Sequence, residues 1–240
     1  MRVLELWRYP VKSLQGEQLG SAEVTRDGLE GDRRYAIYDV ETGFGLTARR
    51  VPELLFASAR LREDGSVEIT LPDGSPARND DALSVWLGRP VRLRSLDADL
   101  PRCYENPVVD FEQERERDWA LFEGAPGPFH DSPAARVSLV STATIGNWDR
   151  RRFRSNVLLE GEGEDSLIGS EVALGDAVIQ VGVRIERCVM TVRPQPGGIE
   201  SDLGVLRTIA RERDACLAVG ALVTHPGRVE VGDPLQDPVG

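Results

Sequence analysis

Cys188 directly follows Arg187 at the end of a β-type run over 177–188. A thiolate is a soft ligand for a heavy metal, and a nearby guanidinium favours thiolate over thiol. If 177–188 is a strand, Arg184, Glu186 and Cys188 point to one side and Arg187 to the other. Glu186 opposes the thiolate if it is ionised and close. On residue type alone, a lone cysteine is more often a small core residue than a ligand; Cys103 and Cys216 read as structural thiols. A second residue stands out by scarcity: the chain has 28 arginines and one lysine, Lys12. Where composition presses lysine toward arginine, a surviving lysine can mark a place that needs a compact ammonium.

The motifs of other common chemistries are absent. The two histidines, His130 and His225, have no second ligand within a helical turn. A zinc site is therefore not expected, and both read as surface or hydrogen-bonded structural residues. There is no G-x-S-x-G and no Walker-type loop. Gly161-Glu162-Gly163 is too acidic to cradle phosphate. Three cysteines cannot build an intrachain Cys₄ iron–sulfur centre.

The elements that must position these residues are short strands. The chain has 240 residues, 40% hydrophobic and 29% charged, an ordinary globular composition. Its net charge of −11 argues against nucleic acid and anionic membranes as partners, so an anionic ligand would need a local basic pocket. Apolar runs are too short for a membrane helix, and the start lacks a signal-peptide core. Cytoplasmic localisation is expected. Strands are predicted at 2–9, 19–25, 33–39, 45–48, 57–62, 66–71 and 90–96. Asn79 caps a helix over 79–87 that ends at Gly88. Residues 97–133, rich in proline and carrying the charge run Asp110–Asp118, read as a linker or lid. Strands resume at 136–140, 154–160, 170–174, 177–188, 216–223 and 228–232. Ser141 caps a helical stretch to about Arg150, although Gly146 weakens it. Asp202 caps a helix over 203–214 with Leu203, Leu206, Ile209 and Ala210 on one face. The expectation is a mainly β (β-rich α+β), barrel-like pair of units with a few short helices.

Four stretches occur in order: Tyr9-Pro10-Val11-Lys12-Ser13; Gly31-Asp32-Arg33-Arg34-Tyr35 with Leu46-Thr47-Ala48-Arg49; Leu139–Thr144 with Arg152-Phe153-Arg154-Ser155-Asn156; and Arg187-Cys188-Val189-Met190-Thr191 with Val231-Gly232-Asp233. This ordered set resembles the MOSC family, named for the C-terminal domain of molybdenum-cofactor sulfurase, over nearly the whole chain. The first half resembles the family's N-terminal β-barrel partner. The implied division is an N-terminal barrel domain over 1–96, the linker over 97–133 and a MOSC domain over 134–238. The resemblance is nearest to the branch that reduces amidoximes and other N-hydroxylated compounds.

That resemblance implies a molybdenum–pterin cofactor. Cys188 matches the metal-ligating and catalytic cysteine. Lys12, Ser13 and Arg33 match positions at the cofactor's anionic or polar edge, as do Arg154 and Asn156; Ser141 is a further polar candidate. Read without the family, Arg152 and Arg154 are a solvated basic edge and Arg33 a surface ion pair. The implied activity is an oxidoreductase acting on a small molecule, with electrons from a flavoprotein, ferredoxin or cytochrome. The alternative is a cofactor carrier or sulfur-transfer module without turnover. Pyridoxal-phosphate chemistry is not expected, since Lys12 lies in a short β-motif. Serine at 155 in place of proline, and Val192-Arg193-Pro194 in place of valine-aspartate-proline, depart from the family where substrate would approach.

Overall fold

The computed structural model describes residues 1–97, 102–107 and 119–236, and the mainly β expectation holds. The chain opens with β1 (Arg2–Arg8), β2 (Glu17–Leu19), β3 (Ser21–Thr25), β4 (Gly28–Leu29) and β5 (Tyr35–Asp39). Then come β6 (Ser58–Leu61), β7 (Val67–Thr70), β8 (Pro76–Ala77), α1 (Asp80–Leu87) and β9 (Val91–Ser95). A hairpin-like pair follows, β10 (Cys103–Pro107) against β11 (Trp119–Glu123). The second half runs β12 (Val137–Ser141), α2 (Thr142–Ile145), β13 (Val157–Glu160), β14 (Glu171–Leu174) and β15 (Ala177–Glu186). It ends with α3 (Leu203–Arg213), β16 (Cys216–His225), β17 (Gly227–Glu230) and β18 (Leu235–Gln236).

The main sheet has eight strands in the order β18-β14-β15-β16-β12-β13-β1-β2 and curls into a half-barrel. Its first two strands in sequence lie at one edge, so the N-terminal residues complete a sheet built mostly from the second half. β17 in turn pairs with β3. The principal core draws Val3 and Leu6 from β1, Val24 and Leu29 from β3 and β4, and Leu159, Ile179 and Val219 from the second half. A separate core gathers Val11, Leu14, Ile37, Leu54, Leu55 and Leu83 under the N-terminal strands. Alternation on β15, with Ala177, Ile179 and Val181 buried, places one face of the strand on the main core.

Local chemistry explains several boundaries. The Asn79 side chain accepts the Ala82 N–H at 3.0 Å, and Gly88, at φ 65°, donates its N–H to the carbonyls of Ser84 and Val85. Ser141 caps α2 by accepting the Thr144 N–H. That helix stops at Ile145, because Gly146 leaves the helical region at φ 57°, ψ −123°. The chain to Arg150 is therefore not the continuous helical stretch expected; a 3₁₀ turn over Arg150–Arg152 follows separately.

Three further expectations are corrected. Gly45 makes only an isolated bridge to Tyr38, so 45–48 is not a strand. Within 97–133, β10 and β11 pair because Tyr104 is buried and stacks on Phe122 at 5.3 Å; the charge run over 110–118 lies outside the described residues. On α3 the buried face is Val205, Leu206 and Ile209. Leu203, in the first turn beside its cap, is 46% exposed, and Ala210 also faces solvent.

Leu6 links the first strand to the principal core. Leu6→Ala should cost about 2–5 kcal/mol, measured by urea unfolding. Because β1 is hydrogen-bonded to β13 and to β2, the whole molecule should shift in one transition seen alike by circular dichroism and tryptophan fluorescence. Two transitions with only one shifted would contradict the shared core.

Candidate functional site

A cleft of about 520 Å³ opens where the end of β15 meets the turn before β13 and the turn before β5. Five guanidinium groups line it, Arg33, Arg152, Arg154, Arg184 and Arg187, against the carboxylates of Asp131 and Glu186. A chain of net charge −11 thus carries a locally basic pocket. Cys188 lies in the wall, half-buried, one residue from Arg187.

Tyr9 organises two of these arginines. Its buried ring packs against the guanidinium of Arg33 at 5.0 Å and that of Arg154 at 4.4 Å. The Tyr9 N–H donates to the Asp32 carboxylate at 2.7 Å, and the Arg33 N–H donates to the Tyr9 carbonyl at 2.7 Å. Asp32 pairs with the Arg33 side chain, and Arg33 Nη2 donates to the Arg154 carbonyl at 3.2 Å. The Arg154 side chain reaches the Leu14 carbonyl. Turns from both halves of the sequence are locked together through charge.

That lock is strained. Arg33 and Arg154 have φ of 50° and 52°, and Ser13 has 70°. L-residues avoid this left-handed region, and strain of this kind collects at functional sites. Electrostatics concentrates on the same groups. Burial, then repulsion from Arg33, pushes the Arg154 guanidinium down to about 10. Burial pushes Arg187 down to about 10 as well, against the pull of Cys188. Arg33 itself is pushed down by burial, but Asp32 more than reverses this and holds it above its ordinary value.

Cys188 is positioned by a strand that ends early. β15 stops at Glu186, after a register irregularity against β16 between Arg184 and Glu186. The simple alternation expected for 177–188 therefore fails at its end, and Arg187 and Cys188 line the same cleft. Arg187 Nε donates to the Leu217 carbonyl at 2.7 Å and Nη1 to the Phe153 carbonyl at 2.8 Å. Its Nη2 is buried with no partner. Past Cys188, Arg152 staples the following loop, donating to the carbonyls of Thr191 at 3.0 Å and Glu200 at 2.7 Å. Arg152 and Arg154 are each only 9% exposed, so neither is the solvated edge that residue type alone suggests.

The remaining candidates divide. Asn156 lines the cleft, but most of its amide is committed to structure. Its Oδ1 accepts from the Ser138 N–H at 3.2 Å and hydroxyl at 2.9 Å, and Nδ2 donates to the Trp7 carbonyl at 3.2 Å. Lys12 lies behind the lining residues. Its ammonium donates to the Phe129 carbonyl at 3.2 Å, pairs with Asp131 and sits 4.8 Å from the Tyr104 ring centre. Ser13 accepts the Ala48 N–H at 3.0 Å, and Ser141 is wholly buried as the α2 cap; neither lines the cleft.

Residue-level reading missed His130 and undervalued Arg187. His130 is neither on the surface nor fully hydrogen-bonded: it is 5% exposed, lines the cleft, and its Nε2 has no partner. Burial, then the charge of Arg33, pushes its imidazole down to about 4. Only the adjacency of Arg187 to Cys188 signalled Arg187; nothing in the sequence signalled His130.

Two predictions follow from these strained and buried groups. Arg154→Gly, which relieves the left-handed backbone, should be more stable than Arg154→Ala by about 1 kcal/mol in urea unfolding. His130 stays neutral in the folded chain down to about pH 4, while the unfolded chain takes up its proton near 6.5. Its contribution to stability is therefore present above pH 6.5 and lost as pH falls toward 4, by about 3 kcal/mol. His130→Phe should flatten that part of the stability–pH curve.

The chain is 25% identical over 97% of its length to mitochondrial amidoxime-reducing component 1 of Mus musculus, and covers 81% of that protein. The Homo sapiens protein of the same name is 24% identical over 97% of the chain, with 82% of its own length covered. Among solved structures, the YUAD protein of Bacillus subtilis aligns over 98% of this chain and 93% of its own at 10% identity, with a TM-score of 0.43. Residues 1–106 match the MOSC N-terminal beta barrel domain, and residues 126–236 match the MOSC domain. The chain belongs to the MOSC family, and carries both of its domains in that order.

Proposed function

We propose that this protein is a molybdenum-cofactor oxidoreductase that reduces N-hydroxylated compounds with electrons from a separate donor protein. The observation that carries the reading is a half-buried thiol in a cleft where Arg154 and Arg187 are held by backbone carbonyls and an aromatic ring rather than by a carboxylate. Arg187 Nη2 has no protein partner, and Arg154 and Arg187 are both held near 10 by burial. Such a site is incomplete without a negatively charged guest. A metal chelated by a pterin bearing a phosphate fits this donor set: thiolate for the soft metal, guanidinium groups for the phosphate, and the remaining Asn156 N–H for a polar edge. The relatives named for amidoxime reduction support the same reaction class.

In this reading Cys188 Sγ would hold the metal, and Arg33, Arg154 and Arg187 would hold the anionic end of the cofactor. When bound, the cofactor would supply two-electron removal of oxygen from an N–OH group, which consumes two protons and releases water. Arg187 places its positive charge one residue from Cys188 in the same cleft wall. The Arg152 staple fixes the loop after Cys188, and with it the wall that substrate must pass. The basic pocket, closed behind by Phe153, limits bulk water around the reacting centre. Lys12 and Ser13 would act at one remove, Lys12 by holding Asp131 at the cleft edge and Ser13 by fixing the turn at Ala48.

The test is protein made in a cofactor-competent host, analysed for molybdenum and assayed with a chemical electron donor and benzamidoxime. The wild type should carry molybdenum and form benzamidine. Cys188→Ser should lose at least about 100-fold in turnover, equivalent to ~2.7 kcal/mol. Cofactor-loaded Cys188→Ser with full turnover would overturn the assignment. Bound molybdenum in the wild type without turnover would favour a carrier instead.

A further inference from the structure

A second cavity, of about 470 Å³, lies on the other side of the Phe153 wall. Trp148 lines it, and its ring centre is 5.9 Å from that of Phe153, which lines the first cleft. The second cavity's polar wall is acidic: Glu162, Glu164 and Asp165 come from the turn after β13, and Glu212 from α3. Arg213 is the cation in this wall, and it is already committed, with Nη2 on Asp165 at 2.6 Å and Nε on the Cys216 carbonyl at 3.3 Å. Glu164 is different from the other acids. It is 1% exposed, and neither carboxylate oxygen has a hydrogen-bond partner. The buried Oδ1 of Asp165 also lacks one.

A buried carboxylate is sustained by a partner or by protonation. Protein donors do not supply the partner here, which leaves the place open to a guest. Among the described residues, no group of three or more histidine, cysteine, aspartate or glutamate side chains is arranged to hold a metal ion. A cavity lined by an indole and by a carboxyl group without a hydrogen-bond partner suits a different guest, one whose charge is spread over a flat or compact organic group. We propose that this cavity binds a small organic cation, a guanidinium or ammonium, through Glu164, with Trp148 covering its apolar part. Glu162, on the exposed rim, would raise the local cation concentration, whereas Glu212 is already paired with Arg211 at 2.6 Å.

The site is separate from the Cys188 cleft and stands whether or not the molybdenum reading does. The test is isothermal titration of the full chain with phenylguanidinium chloride, with phenylurea as the neutral isostere. Phenylguanidinium should bind with Kd tighter than about 1 mM, and phenylurea should not bind. Glu164→Gln should weaken binding at least about tenfold. If that variant fails to fold, Glu162→Gln on the rim carries the test, with about threefold weakening that vanishes at high salt. Equal binding by Glu164→Gln, equal binding of phenylurea, or no heat up to about 10 mM phenylguanidinium would overturn the proposal. Calcium binding in place of the organic cation would do the same.

Discussion

Buried positive charge without an equal negative charge is the constraint around which the rest of this molecule is arranged. Placing guanidinium groups out of water is costly unless something repays the lost hydration. Here the repayment is partial: Asp32 for Arg33, backbone carbonyls for Arg152 and Arg187, and the Tyr9 ring shared by Arg33 and Arg154. The residual deficit is visible in the unpartnered Arg187 Nη2 and in the lowered proton affinity of Arg154. A scaffold that holds such a cluster must be rigid, because a looser one would let the side chains swing to solvent.

The sheet provides that rigidity by crossing the halves of the chain. β1 lies between β13 and β2, and the turn that follows β1 holds Tyr9, Lys12 and Ser13. The turn before β13 holds Arg154 and Asn156. Hydrogen bonding of β1 to β13 brings these two turns to the same place, and the Asn156 amide ties β12 to the end of β1. The Asn156 amide therefore does structural work, as a clamp between strands at the cleft floor. Left-handed backbone at Arg33 and Arg154 is tolerated because packed neighbours on both sides leave no relaxed alternative.

Phe153 separates two cavities of opposite character. On one side are arginines and a thiol; on the other, an orphaned glutamate and an indole. Phe153 lines the first and Trp148 the second, and their ring centres are 5.9 Å apart. The arginine-rich run over 150–154 and the acidic run over 160–165 are thus not two features of one surface. The same strand, β13, leads from one to the other.

Much of this was legible in the chain itself. Turn chemistry and alternation located most strands, because a strand with one buried face must alternate. Caps at Asn79, Ser141 and Asp202 were readable because an N-cap needs a particular side chain at a particular place. The motif residues Arg33, Arg154, Asn156 and Cys188 could be singled out from their order. What the chain could not reveal was convergence. The register irregularity that turns Arg187 and Cys188 into one cleft depends on pairing with β16, roughly thirty residues downstream. The burial of His130 and Glu164 depends on which elements cover them, and the use of Asn156 on where Trp7 and Ser138 arrive. Local sequence sets backbone preference and capping, whereas burial and charge compensation are sums over distant neighbours, and those only the tertiary fold assembles.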